Sequence, residues 1–361
     1  MIIGIDVREG IKTHRAGKGE YVYQLVSRLI LRDEHQFVLL ADAALPNEWQ
    51  RANVVAKICP VPAWLWQIWA VGYLELFRPV GVYFSPTSLI VPALVRRVPV
   101  ITAVMDFVSF LFPARHNFKT VVLEKLWMRP ALNISRAIIA ISEQTKQDAI
   151  KLFKIDPDKI SVIYLAAGLS AGAEQPYALP AGKLILAVGT LEPRKNIVRL
   201  VAAFDQIKTT ILDSRLILMG RWGWQSEGIR QAIEKSPFKS DILVISDVSD
   251  TQKIAIYRQA AVLVFPSLYE GFGLPPLEAM TLGVPVVAAR TASIPEVVGE
   301  AAILIDPLSV TELAEAIERV LQDPILANDL KNKGRQRAQM FDWDKTTEQT
   351  LQVLLKINPV K

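Results

Sequence analysis

Two successive series of short apolar segments, separated by a stretch without regular patterning, constrain the fold of this 361-residue chain. Segments of four to six continuously apolar residues are typical of parallel strands buried on both faces. Helical patterns lie between many of them, and this alternation predicts doubly wound sheets with ligands at the carboxyl ends of the strands. The predicted strands are 2–5, 37–40, 54–58, 81–84, 98–102, 137–141 and 160–164, then 183–188, 215–219, 242–245, 261–265, 284–288 and 302–305.

The domain organisation follows from the break between the two series. It is rich in alanine, glycine and proline, and we interpret 169–182 as a linker. We therefore expect an α/β protein with two Rossmann-like domains, 1–168 and 183–342, facing each other across a cleft. The predicted helices include 20–32, 143–153, 196–211, 311–321 and a final one at 343–356, in the last segment 343–361.

Composition excludes several classes of protein. Apolar residues make up 51% of the chain, which excludes a disordered protein. The longest apolar window, 61–77, contains Gln67 and Glu75 and is shorter than the ~20 residues that span a bilayer, so we expect no membrane-spanning helix there. Asp6 makes the first segment unlike a secretory signal. A single cysteine, Cys59, excludes an internal disulfide and a cysteine-based metal cluster, so we expect a cytoplasmic protein.

Positive charge is concentrated in the first half of the chain. Residues 1–165 carry a net charge of +6 and the remainder −1, with much of the excess between 96 and 136. Such a region attracts phosphate-rich partners or forms an ordinary basic surface. Nearby, Trp64, Trp66 and Trp69 suit either a membrane interface, sugar stacking or a core helix. Together they suggest peripheral contact with an anionic membrane.

The segment 266–283, PSLYEGFGLPPLEAMTLG, is the most informative motif. It follows a predicted strand and leads into a helix. Glu270 and Glu278 bracket seven residues in which Gly271 and Gly273 let backbone N–H groups approach a ligand, and the helix start favours an anion. Glu278 is placed to accept hydrogen bonds from sugar hydroxyls. The alternative is that Glu278 only caps its helix and the glycines only form a turn.

Two further motifs follow the first predicted strand of each domain. In 188–196, VGTLEPRKN, Arg194 and Lys195 suit a clamp on phosphate, or else a solvated basic helix start. In 14–21, HRAGKGEY, Gly17 and Gly19 predict a turn that approaches phosphate at a helix start, although a plain turn gives the same pattern.

The motifs at 266–283 and 188–196 resemble the E-x7-E and G-x-L-x-x-R-K-N segments of retaining GT-B-fold glycosyltransferases, the large group 1 or family 4 group that includes sucrose synthase and many bacterial polysaccharide enzymes. The resemblance implies a GT-B fold whose last helix, 343–361, crosses back to the first domain. It implies transfer of a hexose, by expectation glucose from UDP-glucose, to a hydroxyl of a glycan or lipid-linked acceptor in polysaccharide biosynthesis. It also implies retention of configuration without a metal or cofactor.

The same resemblance implies roles for individual residues. Glu278 would hold the ribose and Glu270 the donor sugar, while Arg194 and Lys195 would bind the donor phosphates. Further donor-binding positions would be Gly17, Gly19, Ser142, Thr190, Val248, Phe272, Gly273 and Leu274. Ser142 and Val248 also suit helix-capping roles, Ser142 as the cap itself and Val248 within a capping turn.

One position departs from the family. A His-Asp pair usually follows a strand of the first domain, but here Met105 stands where histidine is expected, and methionine can neither donate a hydrogen bond nor carry a proton. Asp106 remains and would hold a hydroxyl of donor or acceptor.

Several alternatives stay open. A GDP-mannose-dependent mannosyltransferase would use the same motifs. A UDP-sugar epimerase would need more cleft carboxylates and a histidine, and a non-catalytic nucleotide-sugar-binding subunit would fit the missing histidine. An NAD oxidoreductase would need a G-x-G-x-x-G fingerprint that neither domain has. A nucleic-acid binder is favoured only by the basic half, so we expect no nucleic-acid partner, and no histidine lies in a metal-ligand cluster.

Overall fold

The computed structural model describes residues 1–13, 15, 17–112, 118–169 and 174–357, with the side chains of 118–120 left out of the description. The chain divides into two compact units. Unit 1 consists of Met1–Leu111, Phe118–Leu165 and Asp342–Lys361, and unit 2 of Phe112–Asn117 and Ala166–Phe341. The boundary at 165 precedes the expected linker, of which 170–173 lie outside the described residues, as do 358–361 of the final segment.

Unit 1 is built on a parallel sheet in the order β3-β2-β1-β4-β5-β6-β7. The central strand β1 pairs with β2 and β4, so that Ile3 lies opposite Phe37 and Val82. Both faces of the sheet are covered, because β4 and β5 are buried along their whole length. The strands are β1 Ile2–Asp6, β2 Gln36–Ala41, β3 Val54–Ile58, β4 Val82–Ser85, β5 Val100–Val104, β6 Ala137–Ala140 and β7 Ile160–Val162.

Seven helices belong to the described part of unit 1: α1 Gly17–Leu29, α2 Ala63–Phe77, α3 Ile90–Leu94, α4 Val108–Leu111, α5 Phe118–Ile134, α6 Glu143–Phe153 and, at the end of the chain, α14 Trp343–Leu355. Helix α14 packs against α1, with Trp343 against Tyr21 and the Thr346 hydroxyl donating to the Tyr164 carbonyl. The expected return of the last helix to the first domain is therefore observed.

Unit 2 repeats the scheme with a parallel sheet in the order β10-β9-β8-β11-β12-β13. Its strands are β8 Lys183–Val188, β9 Ser214–Met219, β10 Ile242–Ile245, β11 Val262–Phe265, β12 Val286–Ala289 and β13 Ile303–Ile305. Its helices are α7 Ile197–Thr210, α8 Glu227–Lys235, α9 Asp250–Gln259, α10 Leu274–Thr281, α11 Ile294–Val298, α12 Val310–Gln322 and α13 Pro324–Ala338. A core formed by α7, α12 and the inner strands includes Phe204, Leu216 and Ile317.

The two strand orders confirm the predicted doubly wound α/β architecture. In each sheet the chain moves outward from the first strand and then returns to its other side, so the direction reverses between β1 and β4 and between β8 and β11. Ligands of such sheets bind beside the carboxyl ends of the strands at this reversal. Among the described residues, no helix is both long and apolar enough to cross a bilayer.

Candidate active site

The reversal point of unit 2 brings together the two motifs that the sequence singles out. Segment 188–196 leaves the carboxyl end of β8, and segment 266–283 leaves that of the neighbouring strand β11. Asn196, in a left-handed conformation with φ 61°, joins them, because its amide nitrogen donates to the carbonyls of Pro266 (3.1 Å) and Pro307 (2.7 Å). The side chain of Asn196 is buried, so this joint is shielded from water.

Glu270 is held between two cations. Its Oε1 lies 2.5 Å from Lys195 Nζ and 2.8 Å from Arg194 Nη1. Burial by itself would raise the pKa of Glu270, but the charges of Arg194 and Lys195 outweigh it and lower the pKa from 4.5 to about 2. The carboxylate is therefore ionised at neutral pH and can accept hydrogen bonds but not donate one.

Further contacts within unit 2 hold the side chains of Arg194 and Lys195 in place. They form a short 3-10 turn, Pro193–Lys195, and do not lie within the following helix α7. Arg194 also binds Glu192 at 2.6 Å and donates to the Tyr269 carbonyl at 2.7 Å. The Lys195 ammonium lies 4.8 Å from the centre of the Phe265 ring, and burial lowers the pKa of Lys195. Both positive groups are thus oriented before any ligand binds.

The turn after Glu270 depends on Gly273. This residue has φ 120°, and a Cβ there would lie 2.8 Å from Ile294 Cδ1. Ser293 Oγ lies 2.9 Å from the Glu270 carbonyl and 2.7 Å from the Phe272 carbonyl and so holds the turn from the other side. The next helix, α10, starts Leu274-Pro275-Pro276. Since proline has no N–H, donors at this helix start are restricted to Leu274 and the residues before it.

Glu278 is buried in α10 and held by two side chains of α9. Lys253 Nζ lies 2.8 Å from its Oε1, and the Tyr257 hydroxyl donates to its Oε2 at 2.7 Å. Burial, together with the adjacent Glu278 charge, raises the pKa of Tyr257 well above 10. The alternative that Glu278 caps its helix is wrong, because it is the fifth residue of α10 and its carboxylate faces α9. Lys253 and Tyr257 were missed by the sequence analysis.

Thr190 and Val248 lie in the loops that follow β8 and β10. Thr190 is exposed and Val248 is half-buried. Directly after Val248, Ser249 caps α9 in a reciprocal arrangement with Gln252, so the alternative of a capping turn in this segment is observed.

The four site residues predicted in unit 1 lie at three different places: two in α1, one after β5 and one at the start of α6. The turn expected at Gly17 and Gly19 is wrong in detail, because both lie in the first turn of α1, where a Cβ on Gly19 would be 2.8 Å from the Glu9 carbonyl. Ser142 is buried and caps α6 by accepting from Thr145 N at 3.0 Å, which was the alternative for this residue. Asp106 follows β5 and accepts from Val108 N at 3.1 Å. His14 and Ala16 lie outside the described residues.

The reversal point of unit 1 carries a pair that the sequence analysis did not single out. Asp6, at the end of β1, is buried and forms a two-point ion pair with Arg8, at 2.9 and 2.7 Å. The Arg8 guanidinium lies 3.5 Å from the centre of the Trp66 ring.

As for metals, the part of the chain that the structure describes has no group of three or more His, Cys, Asp or Glu placed to hold an ion.

Comparisons with known proteins identify the family of both units. Residues 175–337 match the family model described as Glycosyl transferases group 1, and residues 16–167 match Glycosyltransferase Family 4. The chain is 32% identical over 280 residues to O-antigen chain mannosyltransferase B of Escherichia coli, covering 75% of this chain and 73% of that protein. It is 32% identical over 225 residues to the MMP alpha-(1->4)-mannosyltransferase of Mycolicibacterium hassiacum, covering 61% and 54%. With the serotype-specific mannosyltransferase WbdA of E. coli the match spans only 29% of that longer protein.

Solved structures show the same fold. Sucrose-phosphate synthase from Thermosynechococcus elongatus superposes with a TM-score of 0.76 at 20% identity, covering 99% of this chain and 98% of that one. Anabaena HepE in complex with UDP-glucose superposes with a TM-score of 0.76 at 18% identity, covering 99% and 100%. The expected GT-B fold is confirmed.

Proposed function

Since this chain belongs to the group 1 and family 4 glycosyltransferases, we propose that it transfers a hexose from a nucleotide sugar to a hydroxyl of a glycan or lipid-linked saccharide, with retention of configuration. The observation that carries the proposal is Glu270 between Arg194 and Lys195 at the reversal point of unit 2. We place the reaction in the cytoplasm, in the assembly of a bacterial polysaccharide of the kind that the name O-antigen chain mannosyltransferase indicates for the E. coli relative.

The roles we propose follow from charge. An ionised Glu270 cannot protonate a leaving group at neutral pH, so it is suited to accept hydrogen bonds from hydroxyls of the donor sugar. Arg194 and Lys195 are suited to stabilise the negative charge that develops on the departing diphosphate. The backbone N–H groups of Phe272, Gly273 and Leu274 would add neutral donors to the same anion.

The acceptor side of the mechanism needs a base. With a pKa of about 2, Glu270 is a weak base at neutral pH, and Met105 cannot carry a proton. We therefore propose that the leaving diphosphate removes the acceptor proton as it departs from the same face of the sugar. With Arg194 and Lys195 supplying positive charge, we expect no divalent metal to be required.

For the donor we favour GDP-mannose. Relatives at 32% identity carry the name mannosyltransferase, whereas the structural neighbours with UDP-glucose are too distant in sequence to indicate a donor. The sequence-based expectation of UDP-glucose stays a prediction, and the same experiment decides between the two.

The test measures release of nucleoside diphosphate from GDP-mannose and UDP-glucose, with a set of glycan acceptors, with and without EDTA, and the anomeric configuration of the product by NMR. We expect acceptor-dependent release of GDP that EDTA does not change and an axial anomeric bond. Release without an acceptor product, inversion, or nucleotide binding without release would contradict the proposal; the last outcome is that of a non-catalytic binding subunit.

Lys195→Met tests the role of the cation. Removal of one donor to a developing anion costs about 10²- to 10³-fold in kcat, and we expect a loss of this size. The control is Lys239→Met, which removes an exposed lysine of the same unit that pairs with exposed Glu234. Thermal unfolding of both variants separates loss of activity from loss of folding.

A further inference from the structure

The solvent-facing side of helix α2 is apolar. The helix buries Trp66, Ala70 and Leu74 against the sheet side of unit 1. On its other side, Trp64 is 66% exposed, Ile68 63% and Leu76 74%, and the last residue, Phe77, is 72% exposed. A surface helix of a globular protein normally presents polar residues to solvent, so this face is suited to contact another apolar phase.

The neighbouring helices extend this surface. Helix α3 packs against both α2 and α5, so the three form one layer of unit 1. Leu94 of α3 is exposed, and so are three apolar residues of α5, Val122, Leu123 and Leu126. An exposed apolar area spread over three adjacent helices exceeds the isolated apolar residues that are ordinary on protein surfaces.

The cations of this layer are placed beside the apolar residues. Arg78 follows Phe77, Lys125 and Arg129 alternate with the apolar residues of α5, and Arg96 and Arg97 follow α3; all five are exposed. Glu75 accepts from the backbone N–H groups of Arg96 (2.5 Å) and Arg97 (2.9 Å), which brings the end of α2 next to both arginines.

The carboxylates of the three helices offset only part of this charge. Only two, Glu75 and Glu124, occur in them, against five exposed cations. Hydrogen bonds from the backbone at 96–97 lower the pKa of Glu75 against the effect of its own burial, and its Oε2 lies 3.8 Å from Arg97 Nε, while Glu124 accepts from Ser109. The exposed face therefore combines apolar side chains with positive charge.

We propose that this face, Trp64, Ile68, Leu76, Phe77, Leu94, Val122, Leu123 and Leu126 with Arg78, Arg96, Arg97, Lys125 and Arg129, docks unit 1 on the surface of an anionic lipid bilayer. Apolar side chains enter the boundary between headgroups and acyl chains, and the cations meet lipid phosphates. Helix α2 has 15 residues and is too short to span, so it lies in the plane of the surface. A second copy of the chain fits this face less well, because the same cations would oppose each other.

This assignment corrects the expectation for the tryptophan cluster. Trp66 is buried, donates from Nε1 to the Ala41 carbonyl at 3.0 Å and stacks with Arg8, so it cannot contact lipid. Trp69 is half-buried and stacks on Tyr73 at 5.7 Å between ring centres. Of the three tryptophans, Trp64 alone is exposed. Variants at Trp66 would therefore report on folding and not on docking.

The inference extends the lipid-linked acceptor of the proposed function, and its test is independent of catalysis. The full chain is sedimented with vesicles of phosphatidylcholine alone and with vesicles that contain phosphatidylglycerol. We expect binding to the anionic vesicles only, falling at least about tenfold in Ile68→Ser/Leu76→Ser and in Lys125→Glu/Arg129→Glu. The matched control is Leu308→Ser/Ile325→Ser, which changes two exposed apolar residues of unit 2 and should bind like the parent.

Nucleotide release with a water-soluble acceptor is measured on the parent and on the same variants. Unchanged release together with lost vesicle binding in the variants supports the inference, whereas a parent that binds anionic vesicles but releases no nucleotide would count against the proposed function alone. The inference is overturned if the parent does not bind anionic vesicles, if both double variants bind as the parent does, or if sedimentation velocity shows a dimer that these substitutions dissociate.

Discussion

At the scale of single residues, the ionisation of Glu270 links the candidate active site to stability. The pKa of this carboxyl is about 2 in the folded chain and 4.5 in the reference state, so between these values the unfolded chain binds more protons. The contribution of the ionised Glu270 to the free energy of unfolding is fully present above pH 4.5 and is lost as the pH falls toward 2.

The first prediction follows from this loss of stability at low pH. The free energy of unfolding of the parent should fall steeply from pH 5 to pH 3, and Glu270→Gln should show a flatter dependence over that interval, while lying below the parent at pH 7. Urea unfolding at a series of pH values measures both curves. Glu227→Gln, an exposed glutamate of α8, serves as the control and should run parallel to the parent. Parallel curves for Glu270→Gln as well would refute the linkage.

The second prediction concerns Tyr257 as a positioning residue. Its hydroxyl holds Glu278 Oε2, the carboxylate that we expect to bind the donor ribose. In Tyr257→Phe the carboxylate loses one charged hydrogen bond, so the KM for the donor should rise about three- to tenfold with little change in kcat. Tyr23→Phe, which removes a hydroxyl bonded to exposed Glu48, is the control. A fall in kcat at unchanged KM would assign Tyr257 a different role.

How far sequence predicts the site depends on sequence separation. Glu270, Arg194 and Lys195 belong to motifs that follow adjacent strands, and the rule for parallel sheets places them at one edge. Lys253 and Tyr257 have the i, i+4 spacing of any exposed helix, and only the packing of α9 on α10 gives them to Glu278. The sequence feature that could point to these two residues is a tyrosine on the apolar side of α9. Composition alone does not distinguish such a tyrosine from an ordinary core residue.

At the scale of elements, each of the thirteen strands in the described part of the chain overlaps a predicted segment, and the differences have local causes. Predicted segments 98–102 and 284–288 both contain a proline, at Pro99 and Pro285, and the observed strands begin after it because proline cannot donate to the ladder. Helix α5 was not foreseen, and it contains Pro130. The position of a strand in the sequence is set strongly by its burial in the sheet, whereas the first and last residues of a helix depend on the elements that pack against it.

The third prediction concerns the close approach of two loops under the site. A Cβ on Gly220, after β9, would lie 2.0 Å from the carbonyl oxygen of Gly189, in the segment that leads to Arg194. Gly220→Ala must therefore displace that segment, with a cost of about 1–3 kcal/mol in unfolding free energy and weaker binding of nucleoside diphosphate. Calorimetry and thermal shift measure these effects.

Helix α2 supplies the control for that substitution. A Cβ on Gly72 meets nothing within 4 Å, so Gly72→Ala should be neutral or stabilising by about 0.5–1 kcal/mol. If Gly220→Ala left nucleotide affinity and stability unchanged, the two loops would not be coupled.

At the scale of the whole molecule, the chain leaves unit 1 at Leu165, forms unit 2 and returns at Asp342 to complete unit 1. Helix α14 thus supplies buried side chains to a core whose other members lie hundreds of residues earlier. Trp343 is buried against Tyr21, and Arg28 pairs with Asp344 at 3.1 Å. Unit 1 therefore cannot complete its core until α14 is in place.

The fourth prediction tests whether the loss of a buried side chain of α14 destabilises unit 1 alone. Trp343→Ala removes a buried indole and should cost about 3–5 kcal/mol, which we expect unit 1 to bear because Tyr21, against which Trp343 packs, lies there. Hydrogen exchange should accelerate in β1, α1 and α14 and stay unchanged in β8, β9 and β11. Met340→Ala, an exposed residue three positions earlier, should leave both patterns as in the parent. Equal acceleration in both sheets would show that the two units open together, and the folding of the donor site in unit 2 would then depend on the last helix of unit 1.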